Sequence, residues 1–279
     1  KQPKMPLPLG NVLGGGMHAG SGSTDIQEFL SYPLGADSIR SGIEANLLVH
    51  REIKKILDKK DSKFPGGKGD EGAWAPQISN TDALEVAKEA IDTVSDIVGF
   101  ELRLGLDVAS SSLWDSDKKL YVYSRENKTF NTEEQISYIL ELIEKYNLIY
   151  VEDPLHEEAF SDFSELSFKN KSCLIVGDDL FVSNASILKN GIEQKAGNSA
   201  ILKVNQVGSL GDAMDFANLC NLVGSAWGEC EQPEGITDSN GDGYDDVSYD
   251  AGAESGDLNL DGGNDILDIV LLVNNILNP

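Results

Sequence analysis

Between residues 101 and 220 the chain repeats one pattern: a short apolar run, then a longer segment whose apolar residues return every three or four positions. The short runs are ELRLGLDVA, LIYVEDP, CLIVGDDL and AILKVNQ. They are apolar through their length and bounded by turn residues, which predicts strands buried on both faces. The segments between them, TEEQISYILELIEKY, the acidic and aromatic stretch after Pro154, ASILKNGIEQKA and SLGDAMDFANLC, predict helices. In the first of these Ile136, Ile139, Leu140 and Ile143 share a face, and Thr132 with Gln135 has the spacing of a capping box. Upstream, Leu7 to Leu13 and Ile26 to Leu34 read as a strand pair, Asp37 to Lys60 as a helix, and Thr81 to about Ile97 as a second helix. Strands alternating with helices predict an α/β fold with a parallel sheet.

The polar residues that interrupt the apolar runs change the picture from fold to chemistry. Asp107, Glu152, Asp178 and Lys203 each fall at the carboxyl end of a predicted strand, where parallel α/β barrels place their reactive groups. Three carboxylates without His or Cys partners favour a hard, oxygen-seeking cation such as Mg2+. A lysine beside them becomes a proton acceptor once its pKa is lowered. That combination suits abstraction of a weakly acidic proton next to a carboxylate, with metal ions stabilising the charge that develops.

The stretches GGMHAG, IQEF, GDEGAWAP, GLDVASS, VEDP, VGDDLFVSN and ILKVNQVGSL follow one another in the order of the enolase (phosphopyruvate hydratase) family, which the chain resembles over about residues 5 to 220. The resemblance implies Mg2+-dependent dehydration of 2-phosphoglycerate to phosphoenolpyruvate in glycolysis. It implies Asp107, Glu152 and Asp178 as Mg2+ ligands and Lys203 as the base at carbon 2. Glu71 would be the acid that helps hydroxide leave carbon 3, with Glu28 and His18 in the same polar cluster, and Gln27 and Asp179 would have supporting roles. A Lys or His base working with Mg2+ is the general pattern of such sites.

Departures from the family pattern carry their own expectations. Gly14 stands where the family usually has Asn, and Ala73 replaces a glycine of GDEGG. The N-terminal domain of the family is not found ahead of these motifs, and no Lys or Arg follows Lys203, so the phosphate ligands and second lysine of the family have no counterpart. The expectation is an incomplete enolase-type TIM barrel, strands one to six, with impaired turnover.

Charge separates the last part of the chain from the rest. With 22 basic against 47 acidic residues the net charge is -25, which disfavours nucleic acid and anionic membranes as partners. Thirteen of the acidic residues, and no Lys or Arg, lie between Glu229 and Pro279. There Asp257, Asn259, Asp261, Asp265 and Asp268 occupy positions one, three, five, nine and twelve of a calcium-type loop, with Gly262 at the sixth. Asp238, Asn240, Asp242 and Asp246 form a weaker loop with Tyr249 at its last position. The later loop and the apolar segment after it resemble a dockerin repeat.

The expected organisation is thus a barrel fragment over 1–221, a linker over 222–237 and a Ca2+-binding tail of loop and helix over 238–279. As an alternative to the enzyme, the chain is a non-catalytic calcium-binding or cohesin-docking module on an enolase relic, a chimera. The barrel part suggests the cytoplasm and the tail an extracellular setting. Three cysteines without a CxxC spacing fit a reduced compartment, and no run reaches the length of a membrane span.

Overall fold

The computed structural model describes residues 6–20, 22–60, 64–170 and 172–227. Both Asp-rich loops, with Asp238, Asn240, Asp242, Asp246, Asp257, Asn259, Asp261, Asp265 and Asp268, lie outside these residues. The described chain forms two compact units, one of residues 7–182 and 189–201, the other containing 183–188 and 202–227.

The first unit is organised by a six-stranded sheet. Its strands are β1 (Gly10–Gly14), β2 (Glu28–Tyr32), β3 (Arg103–Asp107), β7 (Tyr150–Glu152), β8 (Leu174–Gly177) and β9 (Ser199–Ala200), in that spatial order. The pairs from β3 to β9 are parallel, as the alternating pattern predicts, whereas β1 with β2 and β2 with β3 are antiparallel. The sheet is therefore mixed. A second sheet of three short strands, β4 (Trp114–Asp115), β5 (Leu120–Tyr123) and β6 (Lys128–Phe130), is inserted after β3.

Helices α1 (Ile39–Lys60) and α2 (Asn80–Val98) lie between β2 and β3 in the chain and pack against each other. Gly42, Ala45, Val49, Ile53 and Ile56 recur at helical spacing and form the buried stripe of α1, so burial of one face rather than propensity holds this helix. Ser79 caps α2 by accepting from the Asp82 amide, and Gly99, at φ +76°, ends it in the left-handed conformation that glycine adopts without strain.

Helix α3 (Thr132–Tyr146) corrects the sequence reading of its start. The capping box is made by Asn131 and Glu134, one residue earlier than the Thr132 and Gln135 pair. Asn ranks with the strongest N-caps, and Gln135 is needed elsewhere: buried, it donates to the Pro154 carbonyl and exchanges hydrogen bonds with the Tyr123 hydroxyl. The three-stranded sheet is thereby tied to α3. Asp25 anchors its other end, accepting from the amides of Arg125 and Glu126 and from the Ser124 hydroxyl, while Asn80 accepts from the Asp25 and Ile26 amides.

The remaining helices are α4 (Phe160–Lys169), α5 (Ala185–Gln194), α6 (Val204–Val207) and α7 (Leu210–Trp227). The predicted strand AILKVNQ is replaced by the two-residue β9 and the helical turn α6. Lys203 accordingly is the N-cap residue of α6 and does not end a strand. Its amide donates to the Ser183 hydroxyl at 2.7 Å, within the second unit. No helix among the described residues is long and apolar enough to cross a membrane.

Candidate active site

Strand register assembles the acidic residues. Glu28 at the start of β2 lies opposite Asp107 at the end of β3, and Asp107 lies beside Glu152 at the end of β7. Because β2 runs antiparallel to β3, its first residue meets the last residues of the parallel strands. Three carboxylates therefore stand in one row across three strands. In the next strand the row reaches Val176, two residues before Asp178.

Asp107, Glu152 and Asp178 are all buried. Gln27 holds Asp107 twice, donating from its side chain to Oδ2 at 2.9 Å and from its amide to the backbone carbonyl, and the Ala109 amide donates to Oδ1. The Tyr150 hydroxyl donates to Glu152 Oε2 at 2.6 Å. Burial pushes the Asp107 and Glu152 carboxyls upward, and each also feels neighbouring acidic charge.

Asp153 is the residue that the sequence reading missed. Its carboxylate accepts from the amides of Asp178 and Asp179 at 3.1 and 2.8 Å, and its own backbone, at φ +40°, is left-handed. It bridges two groupings whose oxygens lie within 4.8 Å of one another, Asp107 with Glu152 and Asp153, and Asp153 with Asp178 and Asp179. Burial, and then the charges of Asp107 and Asp179, push its carboxyl from 3.8 to about 8. The signal was present in VEDP, two adjacent acids ending an apolar run. Adjacent strand residues point to opposite faces, so the pair reads as one inward and one outward acid until the left-handed turn at Asp153 brings both carboxylates to one cluster.

Oxygen-only donors, with Asp107, Glu152 and Asp153 withdrawn from water and pushed up in pKa first by burial and then by neighbouring acidic charge, suit a hard divalent cation such as Mg2+. The pH dependence of stability tests this electrostatic load. Without metal, folded Asp153 keeps its proton up to about pH 8 while the unfolded chain releases it near 3.8, so folded protein binds more protons between these values. Stability is then expected to fall as pH rises from about 5 to 8, by up to about 1.4 kcal/mol per pH unit for one such group. Thermal midpoints measured with chelator should show this slope, and saturating Mg2+ should remove it. A flat chelated profile would show that the carboxyls carry no such load.

A second cluster lies at the same edge of the sheet. Here His18 Nδ1 is 3.1 Å from Glu28 Oε1, and Glu71 completes a group with oxygens and nitrogen within 4.8 Å. Asn11 donates to Glu71 Oε2 at 3.0 Å. Gly14 and Ala73, the two departures in these loops, lie against each other: a Cβ on Gly14 would meet the Ala73 methyl at 3.5 Å, an ordinary contact.

A mixed α/β sheet that gathers carboxylates at the ends of its parallel strands has them where α/β barrels place their reactive groups. Residues 2–230 match the family described as enolase, C-terminal TIM barrel domain, and the chain belongs to the enolase family. It is 51% identical over 217 residues to the enolase of Methanosphaera stadtmanae, covering 77% of this chain and 52% of that protein. Against the enolase of Methanothermobacter thermautotrophicus the identity is 49% over 209 residues, 75% of this chain and 50% of the other. Against that of Halorubrum lacusprofundi it is 48% over 215 residues, 77% and 52% respectively. The chain thus spans about half the length of these relatives. The family match ends before the first Asp-rich loop.

Proposed function

We propose that this chain carries the barrel-domain chemistry of a phosphopyruvate hydratase, the Mg2+-dependent loss of water from 2-phosphoglycerate to give phosphoenolpyruvate. The observation that carries the reading is the row of Glu28, Asp107 and Glu152 across adjacent strands, with Asp178 held beside it through Asp153, in a chain of the enolase family. Asp107, Glu152 and Asp178 hold Mg2+, which when bound stabilises negative charge on the substrate carboxylate. Gln27 and Tyr150 fix the directions of Asp107 and Glu152 through their hydrogen bonds.

Lys203 takes the proton from carbon 2, and the electron pair of that C–H bond becomes the carbon–carbon double bond. Hydroxide leaves carbon 3 and receives a proton from Glu71, so that the products are phosphoenolpyruvate and water. Asn11 orients the Glu71 carboxyl through the hydrogen bond to Oε2, and His18 does the same for Glu28. The setting of such chemistry is the cytoplasm.

The test is direct. Purified chain with 2-phosphoglycerate and Mg2+ is expected to produce phosphoenolpyruvate with impaired turnover, followed by its ultraviolet absorbance. A folded sample that binds Mg2+ and yields no product would overturn the reading.

For the acidic tail we propose Ca2+ binding, supported by the oxygen side chains at alternating positions from Asp257 to Asp268 around Gly262. Calorimetric titration with Ca2+ in saturating Mg2+ is expected to show a site that Asp261→Ala removes. An unchanged titration in that variant would assign the acidity to solvation alone.

A further inference from the structure

Glu71 sits at the tip of a small hairpin, and the tip is fastened to a helix that contributes nothing to the carboxylate row. The hairpin is closed by hydrogen bonds from the Ala75 amide to the Gly67 carbonyl, from Gly69 to Ala73 and from Gly72 to Gly69, so that Asp70 and Glu71 occupy its turn. Gly72, at φ +83°, makes the reversal that a side chain would strain. On one side the Asp70 amide donates to the His18 carbonyl at 2.9 Å, and the Trp74 carbonyl accepts from the Gly14 amide. A Cβ on Gly69 would come within 2.6 Å of the His18 carbonyl oxygen, so the approach of these two loops depends on that glycine.

On the other side the contact is made by His50 of α1. Its Nε2 lies 3.1 Å from the Gly72 carbonyl oxygen, and because a carbonyl can only accept, Nε2 must carry a proton. The imidazole stacks on the Trp74 indole at 4.7 Å between centroids and 23° between planes. The indole Nε1 in turn donates to the His50 carbonyl at 2.7 Å. Lys68 covers Trp74 with its ammonium 4.5 Å from the ring centroid. His50 and Trp74 thus meet through a ring stack and the indole hydrogen bond to the His50 carbonyl, while the His50 ring also holds the carbonyl of Gly72, the neighbour of Glu71.

We propose that His50 is a positioning residue for Glu71, a latch on α1 that fixes the hairpin tip through the Gly72 carbonyl and the Trp74 ring so that the Glu71 carboxyl is held against Asn11 and the His18–Glu28 pair. The proposal rests on the role given to Glu71 above, and its test separates the two. Carboxylate orientation tolerates little drift, since displacing a reacting group by about 1 Å can cost two orders of magnitude in rate. The latch acts before chemistry, on the mobility of the tip.

Three variants of the full chain divide the latch into its parts. His50→Gln keeps a side-chain N–H of similar reach, His50→Phe keeps the stack without the donor, and His50→Ala loses both. Hydrogen exchange of the Gly69, Asp70, Gly72 and Ala75 amides is expected to accelerate about tenfold in His50→Ala, the loss of a hydrogen bond together with an aromatic contact. His50→Phe should exchange several-fold faster than the parent and His50→Gln close to it, while Mg2+ affinity stays constant in all three. In turnover, kcat should fall in the same order with KM changed little, and His50→Gln should recover it.

Unchanged exchange in His50→Ala would overturn the proposal. So would a His50→Phe variant equal to the parent in both exchange and kcat, because the ring would then serve packing alone. Should His50→Ala fail to fold, the comparison of His50→Gln with His50→Phe decides the matter on the same amides. A parent chain without turnover would remove the enzymatic reading, while the exchange measurements would still establish or refute the latch.

Discussion

Lys203→Ala is expected to lower turnover of 2-phosphoglycerate by ~10²–10⁴-fold, the range lost when a positioned general base is removed. Mg2+ should still bind, since the carboxylates proposed to hold it remain. Lys203→Arg separates charge from proton transfer. A guanidinium preserves the positive charge but does not give up its proton in proteins, so it cannot serve as a base. The arginine variant should be nearly as inactive as the alanine variant if Lys203 accepts the proton, and much more active if Lys203 only supplies charge. Deuterium at carbon 2 gives an independent readout: the parent chain should exchange it with solvent and Lys203→Ala should not. An alanine variant within tenfold of the parent in both measurements would displace Lys203 from this role.

Glu152→Gln is expected to weaken Mg2+ binding by ~100-fold or more, beyond the 10–100-fold typical of losing a residue that only supports a ligand. Its effect on the metal-free fold should have the opposite sign. Burial and the charge of Asp107 push the Glu152 carboxyl upward, so folding without metal requires a proton that the unfolded chain has released. A neutral amide removes that requirement. Its carbonyl can still accept from the Tyr150 hydroxyl, so the local hydrogen bond survives. In chelator near pH 7 the variant should therefore melt above the parent and depend less on pH, while in Mg2+ the order should reverse. Such an exchange of stability for function is expected where carboxylates are crowded to hold a cation. Calorimetry in the two buffers reads both signs, and a variant that melts below the parent in chelator would show that the carboxylate is not under strain.

Much of the framework could be read from the chain before folding. The stripe from Gly42 to Ile56 in α1, and the apolar runs that become β3, β7 and β8, are local patterns whose period survives in the structure. So did the placement of Asp107 and Glu152, because a polar residue closing a short buried strand has to lie at its end. The inserted three-stranded sheet left a signal that was not used: in LYVY the tyrosines at 121 and 123 are buried and alternate with the more exposed Leu120 and Val122. That is the period of two that a strand requires. Other features had no local signature. Nothing in Asn11–Leu13 or Phe29–Ser31 encodes that β2 runs against both neighbours, since direction is a property of the connection and not of the residues. ILKV carries a buried-strand pattern, yet β9 ends at Ala200 and Lys203 caps a helical turn.

By itself the sequence determined which acidic residues close the short apolar runs, the alternation that gives an α/β sheet, and the family to which these motifs belong. It could do so because side-chain chemistry and the periods of helix and strand are written within a few consecutive residues. Only the tertiary structure decided that Glu28, Asp107 and Glu152 form one row, that Asp153 bridges Asp178 to that row, and that His50 grips the hairpin of Glu71. These contacts join residues 22 to 79 positions apart in the chain, from His50 with Gly72 to Glu28 with Asp107. Their geometry is set by strand direction and register, by a left-handed backbone at one aspartate and by the packing of a helix against a loop, none of which a linear pattern specifies.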